Sequence, residues 1–187
     1  MLLKLNESQL DSASPSQSFY MFFSDMDSQS SKEMCEWILQ ANLSPERPDV
    51  LNLVINSPGG SVHDAFAVID VIRGSAIPVR TIGLGSISSA GLMLFISGTK
   101  GMRVLTENTS IMSHVYSWGS AGKEHELLAA VKEFDLTSQR IIQHYKRCTK
   151  LKSEKEIRKY LLPAQDVFMS SDEALRFGIC DVISKLN

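Results

Sequence analysis

The chain has 187 residues with 43% hydrophobic and 21% charged positions, enough for one domain with a real core and too short for two full ones. Nineteen basic against twenty-one acidic residues leave a net charge of −2, which offers no polyanion-binding field and argues against nucleic acid as a partner. No apolar run approaches the ~18 residues of a membrane span, no basic stretch and apolar core of a secretory signal opens the chain, and Cys35, Cys148 and Cys180 form no CxxC pair, so the expectation is a cytoplasmic protein without membrane, disulfide scaffold or zinc site.

In chain order, residues 1–17 are Ser-rich and without periodicity, and are expected to form a flexible N-terminal arm before a single domain over 18–187. Phe19 to Ser24 is a short aromatic strand, and Ser31 to Ala41 carries helical spacing through Met34, Trp37, Ile38 and Ala41. After Pro45 and Pro48, Val50 to Asn56 is an apolar strand ended by the turn Ser57-Pro58-Gly59-Gly60. An amphipathic helix follows with Val62, Ala65, Phe66, Ile69 and Ile72 on its buried stripe; Gly74 closes it, and Val79 to Leu84 is the next strand. Gly85 to Ser89 leads into an apolar helix, Ala90 to Ser97, and two strands, Met102 to Thr106 and Ser110 to His114, come after it. The alternation of strand and helix predicts a mostly parallel α/β core.

Lys123 to Arg147 reads as one helix of about 25 residues, roughly 37 Å long at 1.5 Å per residue. A compact chain of this size has a radius of gyration near 16 Å, so this helix is expected to project. Its apolar stripe of Leu127, Val131, Phe134, Ile141 and Tyr145, broken at Ser138, would be wet in a monomer, which implies self-association. The alternative is a bent helix wrapping its own core. Helices over Ser153 to Leu162 and Ser171 to Phe177, a C-cap at Gly178 and a strand from Ile179 to Ile183 complete the chain.

Three junctions are rich in groups that a nucleophilic hydrolase needs. Gly59-Gly60 lets backbone N–H groups approach a substrate. Ser86-Ile87-Ser88-Ser89-Ala90-Gly91 puts hydroxyls at a helix start, where free N–H groups favour an oxyanion. His114 ends an apolar strand, and an imidazole is the natural base for a serine. Each has a plain alternative: helix-start serines cap helices, Gly-Gly makes turns. The remaining histidines, His63, His125 and His144, fall on helices and are expected at the surface or an interface.

The order of these motifs resembles the ClpP family, the proteolytic subunit of the Clp protease. Ile55-Asn56-Ser57-Pro58-Gly59-Gly60 is similar to its signature turn, and Gly85-Ser86-Ile87-Ser88-Ser89-Ala90-Gly91 to its Gly-x-x-x-Ser-x-Gly motif. Asn108 to His114 resembles its Asn-Ser-x-[ML]-x-His strand end. Asp166, Phe168-Met169-Ser170, Glu173-Ala174 and Gly178-Ile179-Cys180-Asp181 resemble its closing motif. The resemblance covers about residues 19–185. It implies a ClpP/crotonase-like spiral of ββα units with 123–147 as a protruding handle helix. It implies Ser89 as nucleophile, His114 as general base, Asp166 as the group orienting the imidazole, and the N–H groups of Gly60 and Ala90 as the oxyanion hole. It further implies a serine endopeptidase acting on unfolded polypeptides inside stacked heptameric rings. No cofactor or metal belongs to the chain, and ATP would be used only by a partner, a hexameric Clp-type ATPase unfoldase.

The sequence departs from the family pattern in four places. The N-terminal arm lacks the Phe-Asp-[IL]-[YF]-Ser-Arg-Leu-Leu segment, Val115-Tyr116 stands where Gln-Pro is usual, Ala164-Gln165 replaces an Asp-Arg pair, and the stretch from His114 to Asp166 is a few residues longer. Competing readings are a catalytically weak or regulatory ring component, a crotonase-fold acyl-CoA enzyme, and a relative of the lysine-based signal-peptide or phage prohead peptidases.

Overall fold

A computed structural model of the chain describes residues 15–185. The arm expected over 1–17 lies for the most part outside the described residues. Its last positions do not: Asp49 N–H donates to Ser16 O, and Gln17 already opens the first strand.

Six helices and seven strands follow one another as β1 (Gln17–Phe22), α1 (Ser28–Leu43), β2 (Val50–Ser57), α2 (Val62–Gly74), β3 (Val79–Ser88), α3 (Ala90–Ile96), β4 (Arg103–Thr106), β5 (Ser110–Ser113), α4 (Glu124–Cys148), α5 (Glu154–Tyr160), β6 (Val167–Met169), α6 (Ser171–Phe177) and β7 (Val182–Ser184). The main sheet runs β1-β2-β3-β4-β7, all parallel, and β5 with antiparallel β6 branches from the far end of β3. β2 is buried along nearly its whole length, as a central parallel strand must be. The buried Asn52 in its middle is satisfied by Gln17, Ser18 and Arg80 on the flanking strands. All seven residues of α3 are buried, so the helix forms the centre of the core directly behind Ser89.

Several boundaries differ from the sequence expectation for local reasons. α1 begins at Ser28 because Asp27 caps it: its carboxylate accepts from Ser30 N–H at 2.8 Å, while Ser30 Oγ accepts from Asp27 N–H at 3.0 Å. β3 runs on to Ser88 because Gly85 makes a bulge instead of ending the strand. The pairing of β2 with β3 steps from Ile55–Gly83 to Ser57–Ile87. In α2, Val68 takes the buried place expected of Phe66, which packs at the edge of the core. β7 starts only at Val182, and Asp181 just before it is engaged with Arg103 of β4 through both its N–H and its carboxylate.

That engagement ties three elements together. Arg103 is buried, and donates to Asp181 through Nε at 2.8 Å and Nη2 at 2.6 Å; its Nη1 donates to the Cys148 carbonyl at the end of α4. Burial pushes the Asp181 carboxyl up, but the Arg103 bonds and charge and the Gly101 N–H outweigh it and hold the group below its ordinary value.

α4 is one continuous helix with two fates. From Thr137 onward Ile141, Ile142, His144 and Tyr145 are buried against the core. The preceding turns leave Leu127, Leu128, Val131 and Leu136 exposed, Leu128 at 65%. The projecting half and the packed half are thus parts of one element, and only the first carries a wet apolar stripe. His144 corrects the expectation for the helix histidines: His63 and His125 are exposed, but His144 is 2% exposed. It faces the core because it shares a side of α4 with Ile141 and Tyr145.

Candidate active site

The turn after β2 and the elbow after β3 interlock. Ser86 N–H donates to Asn56 Oδ1 at 3.0 Å, which stabilises the β3 bulge, and Gly85 sits there with φ +59 because a Cβ would meet that same Asn56 oxygen. Ser57 Oγ accepts from Gly59 N–H at 3.1 Å. Gly59, with φ +104, lies so close under the elbow that a Cβ would come within 2.7 Å of Ser89 Cβ. The Gly59-Gly60 backbone is clamped from the other side, where Met26 N–H donates to Gly59 O at 2.7 Å and Ser61 N–H to Met26 O at 2.8 Å.

Ser89 stands between β3 and α3 with φ 54 and ψ −122, the one left-handed non-glycine among the described residues. A strained serine on a strand-to-helix turn is held by its surroundings, here by its N–H donating to Met112 O at 3.0 Å and its O accepting from Met93 N–H at 3.1 Å. Ser89 Oγ lies 2.7 Å from His114 Nε2. With the proton of the imidazole on Nδ1, the hydroxyl donates to Nε2, the arrangement a general base needs. His114 follows β5 directly, and the residue before it is fixed: Ser113 Oγ and the Tyr145 hydroxyl of α4 are 3.1 Å apart in the core. Burial pushes the Tyr145 phenol up to about 12, so it stays neutral there.

Gly60, Ser89 and His114 line one cleft of about 110 Å³, closed by Val62, Met93, Tyr116, Ile141 and Tyr145. Ala90 opens the first turn of α3, where N–H groups have no intrahelical acceptor. Among the described residues neither its N–H nor that of Gly60 has a recorded acceptor. Asp166 is the sequence-predicted residue that is not joined to the others. Ser113 pairs with Val167 in antiparallel register, so one further step sets His114 opposite Asp166. Its side chain is exposed, and among the described residues no hydrogen bond links it to His114. No group of His, Cys, Asp and Glu side chains among the described residues is arranged to hold a metal ion.

A family model described as Clp protease matches residues 13–186. The chain belongs to the Clp protease family. It is 33% identical over 150 residues to the ATP-dependent Clp protease proteolytic subunit of Deinococcus radiodurans, covering 80% of this chain and 71% of the relative. It is 38% identical over 149 residues to ATP-dependent Clp protease proteolytic subunit 1 of Chlamydia muridarum, covering 79% and 74%. To proteolytic subunit 2 of Nocardia farcinica it is 30% identical over 164 residues, covering 87% and 78%. The mixed α/β fold with its parallel sheet agrees with that family, and the protein is a peptidase, a hydrolase of peptide bonds. No helix among the described residues is long and apolar enough to cross a membrane.

Four contributors have no side-chain role in the motifs themselves: Asn56, Ser57, Met112 and Tyr116, the last standing in the loop after His114 where the family has Gln-Pro. Asn56 and Ser57 were parts of a signature string whose side-chain roles only the register of β2 against β3 reveals. Met112, whose carbonyl holds Ser89 N–H, carries no signal in its side chain. Tyr116 walls the cleft and stacks on Phe134 of α4, a contact across a loop that no local period encodes.

Proposed function

We propose that this Clp-family peptidase is a serine endopeptidase with Ser89 as nucleophile, His114 as general base and then acid, and Asp166 as the group orienting the imidazole. The observation that carries the reading is the 2.7 Å approach of Ser89 Oγ to His114 Nε2 at a strained elbow. Ser89 Oγ attacks the carbonyl carbon of the scissile peptide as its proton passes to His114 Nε2. The oxyanion is stabilised by the N–H groups of Gly60 and Ala90. His114 then hands the proton to the departing amine, and water repeats the sequence on the acyl-enzyme. Each oxyanion donor in such a site is worth about 10²–10³ in rate. Asp166 stands one step along the β5–β6 ladder, opposite His114, and in this reading its carboxylate orients Nδ1. Acyl transfer of this kind asks for no cofactor in this chain.

The relatives are named as proteolytic subunits of an ATP-dependent Clp protease, and a ring assembly with a Clp-type ATPase as unfoldase extends that to this chain. The wet stripe of Leu127, Leu128 and Val131 on the projecting half of α4 supports a second copy as its cover, in stacked rings around a chamber that admits unfolded polypeptides. A cytoplasmic location goes with that assignment. A fluorophosphonate tests the chemistry. Wild type should be labelled at Ser89 and cleave peptides, and Ser89→Ala should do neither; equal labelling of both would end the serine reading. The unbonded Asp166 favours the alternative of a catalytically silent ring component, and an unlabelled, folded wild type would be its signature.

A further inference from the structure

The cleft beside Ser89 has a neighbour. A second cleft of about 130 Å³, lined by Phe134, Ser138, Ile142 and Leu162 with Asp135 and Arg158 among its walls, lies on the far side of Tyr116. The two clefts share Val115, Tyr116 and Ile141. Ile141 is buried in the packed half of α4 and cannot leave, and Val115 is largely exposed, so the phenol ring is the wall between them. No hydrogen bond of the Tyr116 hydroxyl is recorded among the described residues; its ring is placed by stacking. It lies nearly parallel to Phe134, 5.8 Å between centroids and 13° between planes, and Trp118 stacks on the same Phe134 at 5.0 Å and 27°. An aromatic ring clamped in this way is a rigid boundary, not a surface side chain that yields to a ligand.

Resting on the peptidase reading, we propose that Tyr116, held by Phe134, sets the upper size limit for the substrate side chain that precedes the cleaved bond. When Ser89 Oγ bonds to the substrate carbonyl carbon and the oxygen faces Gly60, the side chain on the adjacent carbon enters the cleft walled by Val62, Met93, Tyr116 and Ile141. That lining contains no Lys, Arg, Asp or Glu, so an apolar side chain is accepted and a charged one is rejected by its desolvation cost. With the partition in place the cleft holds an aliphatic side chain such as leucine. With the ring removed, the two clefts join and a bicyclic side chain fits.

The test compares matched fluorogenic peptides with Leu or Trp before the cleaved bond, on wild type, Tyr116→Ala, Tyr116→Phe and Phe134→Ala, reading kcat/KM and the fluorophosphonate labelling rate of Ser89. Wild type should favour Leu. Tyr116→Ala should raise the Trp/Leu ratio by about tenfold or more, the scale on which apolar pockets discriminate by size. Tyr116→Phe should keep the wild-type ratio, and Phe134→Ala, which frees the ring without deleting it, should shift the ratio in the same direction by less. A labelled Tyr116→Ala whose ratio stays at the wild-type value overturns the partition and leaves the peptidase reading intact. A shift in Tyr116→Phe as large as in Tyr116→Ala also overturns it, since the hydroxyl and not the ring would then be the determinant. A wild type that is neither labelled nor active overturns both.

Discussion

Gly59→Ala is a one-atom probe of how the turn after β2 supports the elbow at Ser89, the proposed nucleophile. The added Cβ would stand 2.7 Å from Ser89 Cβ, 2.8 Å from Ser88 O and 3.0 Å from Ala90 N. Ordinary contact begins at 3.4 Å, so the elbow and the turn must separate by about 0.7 Å. Gly59 cannot retreat, because Met26 N–H and Ser57 Oγ hold its carbonyl and its N–H. Ser89 is therefore the partner that moves, and its 2.7 Å approach to His114 opens. Displacement of reacting groups by ~1 Å can cost about 10²-fold in rate, so kcat/KM and the labelling rate at Ser89 should fall by up to about that factor. The left-handed φ of +104 adds a backbone penalty of about 1–3 kcal/mol, visible as a thermal midpoint lower by roughly 2–12 °C. Gly74→Ala is the control, since nothing lies within 4 Å of its Cβ and labelling should be unaffected. A folded Gly59→Ala protein labelled as fast as Gly74→Ala would refute the claim that this glycine exists to let the elbow approach.

Two further outcomes are expected. Burial drives the His144 imidazole from its ordinary 6.5 down to about 4, with Nε2 placed 2.9 Å from Met93 O. The unfolded chain takes up a proton in that window and the folded chain does not, so stability present at neutral pH is lost as pH falls from 6.5 toward 4. The loss should be on the order of 2–3 kcal/mol, and His144→Gln, which keeps a donor for Met93 O, should show a smaller shift of urea midpoint between neutral and acidic buffer; equal shifts would assign the acid sensitivity elsewhere. On the projecting half of α4, Leu128 and Val131 are 65% and 47% exposed, and the double substitution Leu128→Lys, Val131→Glu should lower the native mass of the assembly without lowering helix content. An unchanged mass would show that this face does not dock.

What the sequence made legible was what local periodicity and short motifs encode. The helix over Lys123 to Arg147 stands at Glu124–Cys148, and the helix over Ser171 to Phe177 stands as read, since Ser170 and Glu173 cap its start and Gly178 its end. The sequence pattern ends the strand before Gly85 at Leu84 because glycine marks turns at least as often as bulges, and only the pairing with β2 decides which. The sequence expectation of a surface or interface position for His144 fails because a 3.6-residue period shows which side of a helix is apolar, not whether a polar residue on that side is taken in. The aromatic contact from Tyr116 to Phe134 crosses 18 residues and a loop, a separation at which sequence pattern carries no signal.

The bulge at Gly85 explains why Ser89 and His114 meet at all. Before it, Thr81 to Gly83 pair with β4; after it, Ser86 to Ser88 pair with β5. β3 thus changes neighbour half-way along, and the change places the carboxyl ends of three parallel strands side by side. β2 ends at Ser57 and delivers Gly60, β3 ends at Ser88 and delivers Ser89, and β5, with Met112 beside Ser88, delivers His114 two residues on. Ligands of parallel α/β sheets bind at the carboxyl ends of the strands, where the connecting turns are free to present side chains and N–H groups. Asp166 differs because β6 is antiparallel to β5: it comes from the entry to its strand, not the exit, and the ladder it enters is only three residues long. That is why Ser89 and His114 are in register in a single chain while Asp166 stands beside them unbonded. In the proposed triad, a contact that orders the loop before β6 would act on the imidazole through this one carboxylate.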